Sequence, residues 1–163
     1  MTRNQPASKT TRIALGKQLL VLLSYLLLAA TSPALAQASH PVSSPQLPTV
    51  SGPYSPAVRV PGLVFCSGQL GIDPHTNQLV AGGVEAEAHR SLQNLQLLLQ
   101  AAQLTLLDVI SVTVYLRDMR QYAVFNRVYQ QYFTANFPAR TCVAVGELTA
   151  GAAVEITAIA ATP

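Results

Sequence analysis

Apolar and polar positions along this chain follow two different periods. From Val84 to Ala102, apolar residues recur every three or four positions, and this spacing predicts a long amphipathic helix. From Ile110 to Leu116, aliphatic residues alternate with polar or amphipathic ones, which is typical of a strand with one buried face. The sequence therefore predicts helices and strands within one domain.

Turn residues mark two features before the long helix. Pro61-Gly62 separates the apolar runs Val58–Val60 and Leu63–Cys66, so these runs predict a β-hairpin. A second turn cluster covers Asp73–Asn77 and leads to Gly82-Gly83, directly before the helix.

A second helix is predicted after the central strand. Asp118 can cap this helix, with Gln121 in the capping-box position, and Pro138 marks the end of the region. Aromatic residues recur at helical spacing along it, and we interpret them as its buried face rather than as a platform for a ligand. These aromatic positions are Tyr122, Phe125, Tyr129, Tyr132 and Phe133.

Two strands, residues 141–145 and 154–161, close the chain and are joined through residues 146–151. The predicted order is β-β-α-β-α-β-β, a single α+β domain with a mixed sheet. Crossover helices favour parallel neighbouring strands, and crossovers of one hand place both helices on one face of the sheet. The opposite face then needs another cover, and self-association is a natural way to provide it.

The first 36 residues have the features of a secretory signal peptide. Their basic residues all precede an apolar run from Leu19 to Ala30, and Ala34-Leu35-Ala36 has the small-x-small pattern of a cleavage site. The apolar run is shorter than the ~20 residues that span a bilayer as a helix. We predict cleavage after Ala36, which makes the protein periplasmic or secreted without stable membrane association. The alternative is an uncleaved membrane anchor.

The mature chain is predicted to consist of a flexible linker over residues 37–49, rich in proline and serine, and a domain over residues 50–163. The full chain has 10 Lys and Arg against 7 Asp and Glu residues, and four of the basic residues precede the cleavage site. The remaining six arginines offer little material for a cationic patch, so we expect no nucleic-acid partner. The three histidines show no metal-ligand spacing.

Cys66 and Cys142 are the only two cysteines, and both lie in apolar runs. In an oxidising compartment they could form a disulfide, whereas free cysteine is often a small buried hydrophobic residue. The count of two leaves both alternatives open.

Arg140 is the most informative charged residue, because it alone among the six arginines of the mature chain directly precedes a short apolar strand. A guanidinium held near apolar surface needs an anionic partner. Arg140 and Cys142 are two positions apart on a strand, so they share a face. Glu155 alternates with Val154 and Ile156, so it points away from their core face.

Two hypotheses follow for this pair. In the first, Arg140 and Glu155 form an internal ion pair. In the second, Arg140 binds the carboxylate of a substrate through a two-pronged contact while Glu155 acts on a water or a proton.

Several segments taken together closely resemble the Rid family of reactive-intermediate deaminases, whose older label is the L-PSP endoribonuclease or translation-inhibitor family. The resemblance covers about residues 50–162. The segments are Gly52–Ser55, Ser67–Gln69, Phe125–Tyr129, Phe137–Val143 and Val154–Ala160. The resemblance implies a chorismate-mutase-like α+β fold, assembled as a barrel-like homotrimer with active sites at the subunit interfaces.

The resemblance also implies a function: cofactor-free and metal-free hydrolysis of enamines and imines such as 2-aminoacrylate to 2-oxo acids and ammonia. It assigns the substrate carboxylate to Arg140 and the attacking water to Glu155. Residues that shape the pocket or contact the substrate would be Tyr54, Ser67, Asn126 and Cys142. If Ser67 faces the pocket, Cys66 faces away from it, which makes a bridge to Cys142 less favourable.

The chain departs from the family pattern in its export signal and in Thr157, which stands where many members carry a second acid. From the sequence we expect an exported hydrolase that acts on carboxylate-bearing imines or enamines. The alternative is a non-catalytic trimer of the same fold that binds a small acid or a protein, and ribonuclease activity is a third hypothesis.

Overall fold

The computed structural model describes residues 39–163, so the predicted signal peptide over residues 1–36 lies outside the described residues. The described chain consists of strands and two α-helices, and short 3-10 turns precede some of them. In chain order they are β1 (His40–Val42), β2 (Ala57–Val60), β3 (Leu63–Leu70), β4 (Ile72–Asp73), β5 (Gln78–Leu79), α1 (Gly83–Ala101), β6 (Val109–Leu116), α2 (Tyr122–Tyr132), β7 (Ala139–Ala144) and β8 (Val154–Ala161).

Six of the strands form one mixed sheet in the order β1-β2-β3-β8-β6-β7, and β4 pairs with β5 in a separate small hairpin. The predicted hairpin around Pro61-Gly62 is confirmed, because β2 and β3 pair antiparallel. Strands β6 and β7 are parallel neighbours joined by α2, as expected for a crossover. Strands β3 and β6 are not neighbours, because β8 lies between them and pairs antiparallel with both. The expectation of parallel neighbours is therefore wrong for the crossover through α1.

The hydrophobic core lies between one face of the sheet and the two helices. Val112, Val114 and Leu116 of β6 point into it, as do alternate residues of β8, and all are buried. Helix α1 contributes its leucine face and α2 contributes Phe125. The predicted α+β architecture with both helices on one face is confirmed.

The other face of the sheet, called here the outer face, remains uncovered in the single chain. Phe65 is 42% and Val143 39% exposed on it. Ile110 was expected in the core, but it is 48% exposed, because the register shifts between Val109 and Ser111 and Val109 takes the core position. An apolar outer face of this kind is the surface that an oligomer would bury.

The linker predicted over residues 37–49 needs a correction. His40–Val42 pairs antiparallel with β2, and Leu47 is buried in the core. The proline and serine content of this segment is typical of a flexible linker, but its apolar side chains pack against the domain. At least this part of the segment is ordered chain rather than a linker.

The predicted helix cap also needs a correction. Asp118 accepts a hydrogen bond from the backbone N–H of Arg120 and so caps a short 3-10 turn, Met119–Gln121. Helix α2 begins after that turn, and its N-cap residue Gln121 makes no side-chain capping bond. Between residues 39 and 163, no helix has both the length and the hydropathy to cross a membrane.

Candidate active site

Arg140 lies at the start of the edge strand β7, directly after Pro138-Ala139. It pairs in parallel register with Val112, a core residue, so its side chain points toward the helices. The guanidinium carbon is 4.6 Å from the centre of the Tyr129 ring, and Nη2 donates a hydrogen bond of 3.0 Å to the Tyr122 hydroxyl. The charge is therefore held against aromatic side chains.

No carboxylate neutralises this guanidinium within residues 39–163. The ion pairs of that region are Arg90 with Asp73 and Arg120 with Asp118. The hypothesis of an internal Arg140–Glu155 ion pair is therefore wrong for the single chain. Arg140 keeps most of its five N–H donors available for a ligand.

A cleft of ≈ 240 Å³ opens beside Arg140. Asn126 and Tyr129 of α2 and Phe137 of the preceding loop also line it. The Asn126 side-chain oxygen is buried and has no hydrogen-bond partner among the described residues. The structure thus brings together Arg140 and Asn126, two residues predicted for the site.

Cys142 follows two positions after Arg140 and points to the same face of β7, as predicted. Burial raises the pKa of its thiol, and the nearby Arg140 charge opposes this rise. Cys66 lies in the core on β3, where burial raises its thiol pKa to about 12. Both thiols are free. Strands β3 and β7 are three strand spacings apart, about 14 Å, which is too far for a disulfide.

Glu155 lies on the outer face of the sheet. Strand β8 places it beside Tyr115 of β6 and Leu70 of β3, with its core neighbours Val154 and Ile156 pointing the other way. Its carboxylate sits against Gly68, where a Cβ atom would collide with Oε1. No ion pair or hydrogen bond compensates this partial burial within the described chain, and burial raises the pKa of Glu155.

Tyr54 and Ser67 belong to the same region as Glu155. Tyr54 is 56% exposed and lines a small cleft together with Gly68. The Ser67 hydroxyl donates a 2.7 Å hydrogen bond to the Ser55 carbonyl, so it fixes the loop that carries Tyr54. The register shift between Cys66 and Gln69 leaves Ser67 and Gly68 at an irregular point of β3.

The predicted site residues thus form two groups. The arginine half-site consists of Arg140, Asn126 and Cys142 with Tyr122 and Tyr129. The glutamate half-site consists of Glu155, Tyr54, Ser67 and Gly68. Arg140 faces the helices and Glu155 faces the outer side, so the two half-sites lie on opposite faces of the sheet in one chain.

Sequence reasoning missed three of these residues. Tyr122 and Tyr129 were assigned to the core because their spacing fits a buried helix face, and only the register of β7 reveals that Arg140 lies over them. Gly68 has no side chain, and this leaves room for the Glu155 carboxylate beside it.

Among residues 39–163, no group of three or more His, Cys, Asp or Glu side chains lies close enough together to hold a metal ion.

Comparison with known proteins decides the family. Residues 45–162 match the family model described as endoribonuclease L-PSP. The chain belongs to this family. A member of the Rid protein family from Yersinia pestis, YyfA, superposes with a TM-score of 0.75 at 32% identity, covering 77% of this chain and 100% of that one.

Two further relatives are informative about chemistry. The 2-iminobutanoate/2-iminopropanoate deaminase of Homo sapiens is 42% identical over 106 residues, which are 65% of this chain and 77% of the human one. The crystal structure of E. coli TdcF with bound serine has a TM-score of 0.73 at 35% identity and covers 76% of this chain and 99% of that chain. The Rid family identified from sequence motifs and its α+β fold are both confirmed.

Proposed function

We propose that this protein hydrolyses reactive imines and enamines that carry a carboxylate, giving 2-oxo acids and ammonia. The observation that carries the proposal is Arg140, whose guanidinium stands beside an open cleft without a carboxylate partner in the described chain. A partly buried cation that lacks an internal counter-ion binds an anionic group of a ligand strongly.

Two relatives support this substrate class. The human relative is named for deamination of 2-iminobutanoate and 2-iminopropanoate, and the E. coli relative binds serine. All three compounds are small acids with a nitrogen on the carbon next to the carboxylate. The two-pronged geometry of an arginine matches that carboxylate and leaves the C=N group to be placed against the rest of the site.

The chemistry needs a water molecule and a group that can take its proton. An enamine first becomes the imine as a proton moves from its nitrogen to its β-carbon. Water then adds to the imine carbon, the carbinolamine collapses, and ammonia leaves as the carbonyl forms. Glu155 is suited to accept the proton of the water and return it to nitrogen, because burial raises its pKa toward the working pH. Gly68 has no side chain, so the Glu155 carboxylate lies directly against the backbone of β3 at this point.

A complete site in this proposal combines half-sites of two chains. Arg140 and Glu155 of one chain face opposite sides of its sheet, so a single ligand reaches both only if a second copy supplies one of them. The uncovered apolar outer face supports such an assembly. We propose a homotrimer with three equivalent sites between subunits.

We also propose that the chain is exported and cleaved after Ala36. The proposal rests on the basic and apolar pattern of the first 36 residues. Intact-mass measurement of the protein recovered from its native cell tests it. A mature chain beginning at Gln37 supports export, whereas a chain that keeps residues 1–36 contradicts cleavage.

The activity can be tested with 2-aminoacrylate generated in situ by a serine or threonine dehydratase. Catalytic amounts of the wild-type protein should accelerate the decay of the imine, and Arg140→Ala should not. Unchanged decay with equimolar wild-type protein would contradict the enzyme and favour a small-acid-binding trimer. Cleavage of RNA that survives both Arg140→Ala and repeated purification would favour a nuclease instead.

A further inference from the structure

The guanidinium of Arg140 lies over three aromatic side chains of α2. Its carbon lies 4.6 Å from the ring centre of Tyr129, 5.7 Å from that of Tyr122 and 5.9 Å from that of Phe125. Nη2 also donates to the Tyr122 hydroxyl at 3.0 Å. These contacts hold the cation by ring faces and one neutral acceptor, without a carboxylate from the described chain.

We propose that Tyr122 and Tyr129 are positioning residues that orient Arg140 for the substrate carboxylate while leaving its charge unneutralised. The proposal rests on the proposed function, since it concerns how that function's anchoring residue is held. It gives a role to two aromatic positions whose spacing alone indicates only a buried helix face.

Tyr129 provides a rigid surface beneath the guanidinium. Its side chain is only 4% exposed, and its ring stacks on Phe133 with centres 4.5 Å apart and planes inclined by 22°. The ring is therefore fixed by packing before any ligand arrives. Its hydroxyl is buried without a hydrogen-bond partner in the described chain, so the contact that matters for Arg140 is the ring face.

Tyr122 fixes the rotation of the guanidinium in the plane of that surface. It is the first residue of α2 and is 36% exposed, so burial in the core does not explain an aromatic residue there. Its hydroxyl takes one of the five N–H donors of Arg140 and leaves the others free. A carboxylate at the same place would also hold the side chain, but it would cancel the charge that the substrate needs.

The two roles predict different responses to substitution. Tyr122→Phe removes the hydrogen bond and keeps the ring, so KM for the carboxylate-bearing imine should rise about threefold to tenfold with kcat within about twofold. Tyr129→Phe keeps the ring face and should change both constants by less than about twofold, whereas Tyr129→Leu should lower kcat/KM about tenfold. If Tyr129→Phe keeps the kcat/KM that Tyr129→Leu loses, the ring face of Tyr129, and not its hydroxyl, positions Arg140.

Tyr132→Phe is the matched control. Tyr132 lies on the same helix, and its hydroxyl donates to the His89 carbonyl at 3.2 Å, away from Arg140. This variant should keep wild-type KM and kcat even if its melting temperature falls. Thermal melting of all four variants identifies any loss that comes from unfolding, and Tyr122→Phe decides the proposal if Tyr129→Leu does not fold.

Binding of 2-oxobutanoate, measured by calorimetry, separates failure of this proposal from failure of the proposed function. It should weaken about threefold to tenfold in Tyr122→Phe and stay unchanged in Tyr132→Phe, whether or not the protein turns over an imine. Equal affinity of wild type and Tyr122→Phe would overturn the positioning role even in an active enzyme. A wild-type protein that binds the acid as predicted but hydrolyses no imine would refute only the proposed reaction.

Discussion

Arg140 and Glu155 point to opposite faces of the same sheet, although both were expected to serve one ligand. Arg140 is in register with the core residue Val112, and Glu155 is in register with Tyr115 on the outer face. The backbone of the sheet separates side chains that point to opposite faces, so no rotamer change brings these two together within one chain. A shared site must therefore be built from two copies.

Replacing Arg140 by alanine should remove the anchor for the substrate carboxylate. Two charge-assisted hydrogen bonds are lost, so kcat/KM for imine hydrolysis should fall at least about a hundredfold. Arg127→Ala is the control, because Arg127 is exposed on α2 and its side chain reaches only the Ala123 carbonyl. Equal losses in the two variants would show a general charge effect and contradict the anchor.

Replacing Glu155 by glutamine should act on the chemical step. The shape of the side chain is kept but the proton acceptor is lost, so kcat should fall about a hundredfold or more while KM changes little. Because burial raises the pKa of Glu155, wild-type activity should fall on the acid side at a pH above the ordinary glutamate range. A rate profile whose acid limb is unchanged in Glu155→Gln would contradict this role.

The same substitution should stabilise the protein at neutral pH. A glutamate whose folded pKa is raised costs folding free energy once pH exceeds that pKa, and it costs nothing below the unfolded pKa, where both states are protonated. Glu155→Gln should therefore melt at a higher temperature than wild type at pH 7, with the difference shrinking as pH falls through the raised pKa. A lower melting temperature at pH 7 would indicate that the carboxylate has a partner in the assembly.

Oligomerisation should depend on the outer face. Val143 is 39% exposed there, so Val143→Asp should place a charge in the proposed interface and give smaller particles by light scattering, with reduced activity. Gln131→Asp, at an exposed position of α2, should leave the size unchanged. A particle size that Val143→Asp leaves as in wild type would place the interface elsewhere.

The two cysteines should remain free even in an oxidising buffer. Cys66 is buried with a thiol pKa of about 12, and Cys142 is partly accessible with a raised pKa. Iodoacetamide should label Cys142 slowly in the folded protein and label both residues after unfolding without reductant. A mass two daltons lower, with no labelling after unfolding, would reveal a disulfide.

The sequence was sufficient for much of this fold. The periods of α1, β6 and β8 predicted these elements within a few residues, because each has one strongly apolar face. Motif resemblance supplied the residues of both half-sites except Tyr122, Tyr129 and Gly68. The insertion of β8 between β3 and β6 could not be predicted, because strand order depends on long-range pairing that local periodicity does not record.

Two features of the site and one strand of the sheet were also beyond sequence reasoning. Aromatic spacing along α2 indicates a core face whether or not a cation lies over it, so the contact of Arg140 with Tyr129 depends on the register of β7. Likewise, the separation of Arg140 from Glu155 follows from the pairing of three strands. The strand formed by His40–Val42 was missed because its proline content resembles that of a linker.

Mixing two inactive variants tests the shared site most directly. Arg140→Ala and Glu155→Gln proteins are unfolded together in equal amounts, refolded, and compared with each variant refolded alone. If each site takes its arginine and its glutamate from different chains of a trimer, every mixed trimer has one intact site, and the mixture should recover about a quarter of wild-type activity. Activity that stays at the level of the separate variants, in particles shown by mass to be mixed, would contradict a site shared between chains.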